Sequence, residues 1–255
     1  MAKRRSVTRA LVAVLAVYLL FLILQYFPPR IPGLGEVLGG DTLFHLSIAA
    51  LSVICCLIAG GSLKRDLMLR PFRGRHLPAG LLLWVSAAIF MELLIRLITL
   101  WFPAVSGEGA TLTAALSKDS LLYALFLTAL VPAFCEELLF RGFMLSTLRR
   151  TMPDWVAALI CAVLFALAHV SPARMLPMLL FGFFLSLAGC LSGSVWIPMI
   201  MHFVNNAFVV ISVYFPKEAG AYTDLILGHG TWVSLLIAVV TGALGWWLMW
   251  GRSKK

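Results

Sequence analysis

Eight apolar runs divide this 255-residue chain, and they decide what it can fold into. They lie at about Ala10–Phe27, Thr42–Gly60, Leu77–Phe102, Ser120–Arg150, Trp155–Val170, Met175–Leu191, Val195–Phe215 and Trp232–Trp250. Inside hydrocarbon every backbone N–H and C=O must be satisfied within the protein, which leaves only helices and closed barrels. Continuous runs near 20 residues suit helices, whereas barrel strands alternate over about 10. Composition agrees: 62% of the residues are hydrophobic and 12% charged, against roughly 45–50% and 25% in soluble domains. The expected fold is all-α, a polytopic membrane bundle of about eight transmembrane helices. With no internal repeat, low-complexity segment or soluble module, residues 1–255 read as one integral membrane domain.

The net charge of +9 does not point to nucleic acid, because no basic stripe interleaved with aromatics is present. The basic residues gather between apolar runs. Lys3, Arg4, Arg5 and Arg9 precede the first, and Lys64, Arg65, Arg70, Arg73 and Arg75 follow the second. Arg149 and Arg150 close the fourth, and Arg252, Lys254 and Lys255 close the eighth. With the N-terminus inside, fourteen of the twenty Lys and Arg fall on the inner side and four (Arg30, Lys118, Arg174, Lys217) outside. Both termini are therefore expected in the cytoplasm. The first run resembles a signal peptide, but it is long and lacks a small-x-small cleavage site, so it reads as a retained span. Cys55, Cys56, Cys135, Cys161 and Cys190 lie in or beside apolar stretches without a CxxC and read as packing residues.

The fourth run carries Glu136-Glu137-Leu138-Leu139-Phe140-Arg141. A charge at the bilayer centre costs roughly 2.5–3.5 kcal/mol, so three in six residues require a reason. Glu137 and Arg141 are spaced i,i+4 and can pair on one helix face. Glu136 points about 100° away and has no local partner. Pro132, one turn earlier, is expected to kink the helix and free backbone carbonyls. Glu92 and Arg96 repeat the i,i+4 pairing in the third run and read as a structural ion pair, with lining the site as the alternative role. Gly189 and Gly193 form a small-xxx-small pair suited to close helix contact.

Three further polar side chains interrupt apolar runs. His169 ends the fifth, and His202 and Asn206 share one face of the seventh. At about 1.5 Å per residue, Glu136 stands about 21 Å above Arg150 and His169 about 24 Å above Pro153. His202 and Asn206 are about 10 and 16 Å above Val195. All four side chains can share one intramembrane site. Such a set suits water activation, with Glu136 taking a proton and His169 sharing or orienting it. His202 and Asn206 are hydrogen-bond donors for an oxyanion, and Glu137 and Arg141 support the site.

At these residues the chain resembles the CAAX-protease and bacteriocin-processing (CPBP, or Abi) family of glutamic intramembrane endopeptidases. Glu136-Glu137-x-x-x-Arg141, Phe165-x-x-x-His169 and His202-x-x-x-Asn206 look like its three motifs, spread over residues 120–215. The resemblance implies that Glu136 and His169 activate water and that His202 and Asn206 bind the oxyanion. It implies no metal or other cofactor, and a cavity open to the membrane. The implied substrate is a membrane protein or peptide, lipidated ones included, cut near a terminus in the plasma membrane of a prokaryote. The N-terminal third carries no matching motif.

Other readings make different demands. A zinc peptidase would use one Glu with His169 and His202, yet the chain has no H-E-x-x-H. Neither the Gly-x-Ser-Gly nor the Gly-x-Gly-Asp pattern of other intramembrane proteases is present. A transporter using Glu136, Glu92 and the histidines as a proton relay calls for inverted repeats, which the chain lacks. In a non-enzymatic scaffold the polar groups would only staple helices. The charge distribution makes its own prediction. A fluorescent reporter that folds only in the cytoplasm should be active when fused at either end, and an active periplasmic phosphatase at either end would refute that orientation.

Overall fold

The computed structural model describes residues 2–29, 40–103, 116 and 120–250. Arg30, Lys118, Arg252, Lys254 and Lys255, which entered the charge argument, lie outside the described residues, as does most of the stretch between Pro103 and Ser120. Regular structure among the described residues is helical throughout: α1 (Ala2–Tyr26), α2 (Gly40–Ile58), α3 (Leu63–Asp66), α4 (His76–Trp101), α5 (Leu121–Arg149), α6 (Asp154–Ala168), α7 (Pro172–Ser192), α8 (Trp196–Tyr214), α9 (Pro216–Leu227) and α10 (Thr231–Trp250). Seven of these helices contain stretches long and apolar enough to cross a bilayer. Large apolar side chains such as Ile58, Leu100, Leu122 and Trp232 face outward, as lipid-facing positions should.

Two of the expected boundaries shift. The fifth apolar run forms α6, of only 15 residues, about 22 Å against the roughly 30 Å of hydrocarbon. It stops because Pro172 disfavours helical backbone at Ser171, and the Ser171 hydroxyl instead accepts from Arg174 N at 3.2 Å and caps α7. The polar stretch between the seventh and eighth apolar runs, Pro216–Gly230, is largely α9. Pro216 at the first turn and Glu218 beside the N-terminal dipole both favour a helix start there.

Helix α5 is the axis of the bundle, packed against α2, α6, α7 and α8. Its central turn, Val131–Glu137, is α-helical and flanked by wider, π-type turns at Leu125–Leu130 and Leu138–Leu145. Pro132, where a kink was expected, thus sits between two widened turns, a usual setting for functional side chains. Pro132 offers no N–H to the carbonyl four residues back, that of Thr128, and this carbonyl accepts from Asn206 Nδ2 at 3.2 Å. Around α5 the core is aromatic. Phe140 meets Phe21 and Phe165 edge-on, with centroids 5.7 and 5.3 Å apart. Gly189 faces Leu145 and Arg141 across the α5–α7 contact, whereas Gly193 takes a left-handed φ of 66° and ends α7. The small-xxx-small pair therefore divides into one close contact and one cap.

At one end of the bundle, α3 is tied to the end of α5. Asp66 accepts from Arg65 Nε at 2.7 Å, Arg150 Nη2 at 2.6 Å and Ser62 N at 2.8 Å. Its backbone carbonyl accepts from Ser146 Oγ at 2.5 Å. The Arg65 hydrogen bond, with help from Ser62 N and Arg150, holds the Asp66 carboxyl down to about 2 from 3.8. A depressed carboxyl stabilises the fold above its unfolded-state value and loses that contribution as the folded form protonates. Thermal unfolding of detergent-solubilised protein should therefore weaken from about pH 4 to 2 through this group. In Asp66→Asn that acid-dependent part should shrink while stability above pH 4 falls, and an unchanged pH profile would exclude the clasp.

Candidate active site

The sequence places two carboxylates side by side on α5, and the fold gives them opposite surroundings. Glu137 is sealed in. Its Oε1 accepts from Arg141 Nη1 at 2.7 Å, and both side chains are 0% exposed. Arg141 also donates from Nη2 to the Gly182 carbonyl at 2.9 Å and from Nε to Ser186 Oγ at 3.3 Å, and its guanidinium lies 4.4 Å from the Phe165 ring centroid. Gly182 permits this approach: a Cβ there would lie 3.1 Å from Phe165 and 3.2 Å from the Ala162 backbone. The i,i+4 pairing read from the sequence is thus present, and it locks α5, α6 and α7 together. The Glu92–Arg96 pair is also present at 3.1 Å, but on an exposed face.

Glu136 is different. Its side chain is 17% exposed, and among the described residues His45, His202 and His169 are basic groups close enough to act on its charge. His169 caps the end of α6, with Nδ1 2.8 Å from the Phe165 carbonyl. A carbonyl cannot donate, so Nδ1 carries the hydrogen, and Nε2 of the neutral ring is a bare lone pair. His202 Nδ1 lies 2.9 Å from Glu137 Oε1, the oxygen that also accepts from Arg141. A carboxylate only accepts, so Nδ1 of His202 is the donor in that contact. Phe165 stands between the two imidazoles, 4.8 Å from His169 and 5.8 Å from His202 between centroids.

Asn206 lies one turn beyond His202 on α8. Its Nδ2 donates to the Thr128 carbonyl, and its Oδ1 accepts from Asn205 Nδ2 at 3.5 Å. The fold thus gathers Glu136, His169 and His202 on α5, α6 and α8. Asn206 joins α5 two turns before Glu136, and its amide is engaged with backbone. The five cysteines are free thiols.

His45 escaped the sequence reading. It projects from α2, in the third of the chain where no motif was recognised, and its Nε2 lies 3.2 Å from Glu136 Oε1. The only signal for it was a histidine inside an apolar run, the same anomaly that singled out His169 and His202. Beside Asn205, an apolar cavity of about 200 Å³ is lined by Met91, Glu92, Met178, Phe208 and Val209.

Removing one partner of a sealed ion pair leaves the other charge buried and uncompensated, a loss of about 3–5 kcal/mol. Glu137→Gln and Arg141→Leu should each lower unfolding stability on that scale. The double change Glu137→Leu with Arg141→Leu should recover part of it, and near-neutral single changes would show that the pair does not hold the bundle.

Comparison with known proteins falls on the same segment. The profile of the Rce1-like family, described as "Type II CAAX prenyl endopeptidase Rce1-like", matches residues 118–208. The chain is 30% identical over 132 residues to "Uncharacterized protein YpbD" of Bacillus subtilis (strain 168), covering 51% of this chain and 67% of that protein. It is 24% identical over 192 residues to "Putative membrane peptidase YdiL" of the same organism, covering 71% and 79%. No solved structure matches. With seven helices among its described residues long and apolar enough to cross a bilayer, this multi-pass integral membrane protein belongs to the Rce1-like family of membrane proteases.

Proposed function

We propose that the chain is an intramembrane glutamic endopeptidase that hydrolyses membrane-anchored or lipid-linked proteins or peptides near a terminus, without a metal. One observation carries this reading: the single partly open carboxylate on α5, Glu136, lies in the fields of three imidazoles while its neighbour Glu137 is sealed against Arg141. Glu136 takes a proton from water, and the bare Nε2 of His169 shares it. The water oxygen forms a bond to the scissile carbonyl carbon. The resulting oxyanion is met by His202, which donates from Nε2 when the ring is doubly protonated, and by the Asn206 amide once it leaves Thr128. Collapse breaks the C–N bond, and Glu136 or His169 returns the proton to the leaving amine.

The substrate class follows from where this carboxylate sits. It is carried by a helix with a 29-residue apolar span, so its peptide must come to it within the membrane. The cavity beside Asn205 offers an apolar wall to a lipid or an apolar side chain. The relatives are bacterial, which favours the plasma membrane of a prokaryote. Residues 120–215 hold the chemistry of what we read as one membrane domain.

Glu136→Gln is near-isosteric, so the variant should fold, with a thermal midpoint close to the parent's, yet turn over at least about 100-fold more slowly. Membrane-protein termini compared between cells carrying the parent and Glu136→Gln should show new ends only with the parent. Cleavage should also survive exhaustive chelation. Full activity in Glu136→Gln would point to a scaffold or another mechanism, and loss on chelation restored by zinc would favour the metallopeptidase.

A further inference from the structure

We propose that His45 is the positioning residue for Glu136: it holds Oε1 through a shared proton and leaves Oε2 as the oxygen that meets water. This inference rests on the reading of Glu136 as the water-activating group. The proton follows from hydrogen-bond roles. His45 Nδ1 lies 2.7 Å from the Asp41 carbonyl one turn earlier on α2. A carbonyl only accepts, so Nδ1 is the N–H, and in a neutral ring Nε2 would have none. Glu136 Oε1 lies 3.2 Å from that same Nε2. Two bare acceptors would repel there, so the contact contains a proton, carried either by an imidazolium or by a carboxylic acid. In both cases one proton is held between the two side chains.

The setting separates this contact from a structural ion pair. The His45 and Glu136 side chains are 14% and 17% exposed, whereas Glu137 and Arg141 are fully enclosed. Phe44 packs edge-on against the His45 ring with centroids 5.1 Å apart, and α2 lies along both the Val131–Glu137 and Leu138–Leu145 turns of α5. The ring is therefore fixed from its own helix by Phe44 and the Asp41 carbonyl. The other chargeable groups facing Glu136 are His169 from α6 and His202 from α8. Those two come from the motif-bearing half of the chain. His45 supplies a third from 91 residues away, and it gives the N-terminal helices a stake in the chemistry.

The test uses the full chain reconstituted in lipid, with a prenylated CAAX-tail peptide or a peptide taken from the termini comparison as substrate. His45→Leu removes both donor and proton. It should lower kcat about tenfold to hundredfold with KM within about twofold, because the lost contact acts on the reacting group and not on substrate binding. His45→Gln keeps an N–H donor but cannot carry the proton, and it should recover only part of that loss. An unchanged kcat in His45→Leu beside a dead Glu136→Gln overturns this inference and leaves the protease reading intact. An active Glu136→Gln overturns the reading beneath it.

A second measurement needs no turnover. In histidine-selective ¹⁵N NMR of the reconstituted chain, the resonances lost in His45→Gln identify the ring. They should report a protonated Nδ1 and should move in Glu136→Gln. A His45 ring unaffected by Glu136→Gln overturns the contact whatever the activity.

Discussion

A guanidinium with no exposed surface, held inside a lipid-embedded protein, is the condition on which the rest of this structure depends. Arg141 stays charged, so its environment must supply compensation, and it does so from three helices: Glu137 on its own helix, Gly182 and Ser186 on α7, and the face of Phe165 on α6. Each of these contacts constrains a neighbour of the candidate site. Phe165 separates two imidazoles, and the oxygen of Glu137 that receives Arg141 also receives His202. The ion pair is thus a frame, and the candidate side chains are hung from it. A buried pair of this kind contributes little net stability against an apolar equivalent, but it makes any alternative packing of α5, α6 and α7 expensive.

Helix α5 meets two demands that a regular helix would not reconcile. It must present Glu136 toward α2, α6 and α8 while keeping Glu137 and Arg141 sealed on another face. The wider turns on either side of Val131–Glu137 rotate the flanking side chains relative to this central segment. Pro132 contributes through what it lacks. The Thr128 carbonyl, which Pro132 cannot serve with an N–H, accepts from Asn206, so a residue choice on α5 bears on a side chain of α8.

What could be read from the sequence was local in helix geometry. The i,i+4 spacing gave Glu137–Arg141 and Glu92–Arg96, and both pairs form. The same periodicity put His202 and Asn206 on one face, and apolar run length gave the helical bundle. Interactions with a long sequence separation were illegible. Nothing in periodicity says that His45 will meet Glu136 or that Asn206 will find the carbonyl behind a proline. Residue type alone suggests the oxyanion role for His202, and the ring's Nδ1 bond to Glu137 is a contact that spacing does not show. The polar stretch after α8 is helical through Pro216 and Glu218 at its start, a signal that apolar run length does not carry. The α6 run was counted as a full span because apolar length alone does not reveal where a following Ser-Pro stops the helix.

That short α6 has a consequence for the backbone beyond it. From the charged Arg149–Asp154 end, its 15 residues rise about 22 Å and stop near His169, short of the far headgroups. Beyond it the backbone turns through Val170, at φ 50°, while Gln25 from α1 caps the Ala168 carbonyl at 2.7 Å. Irregular chain at that depth is tolerated only against protein or beside a wetted hollow. The truncated helix therefore ends in such a turn, with its last carbonyl tied to α1 instead of continuing to the far headgroups.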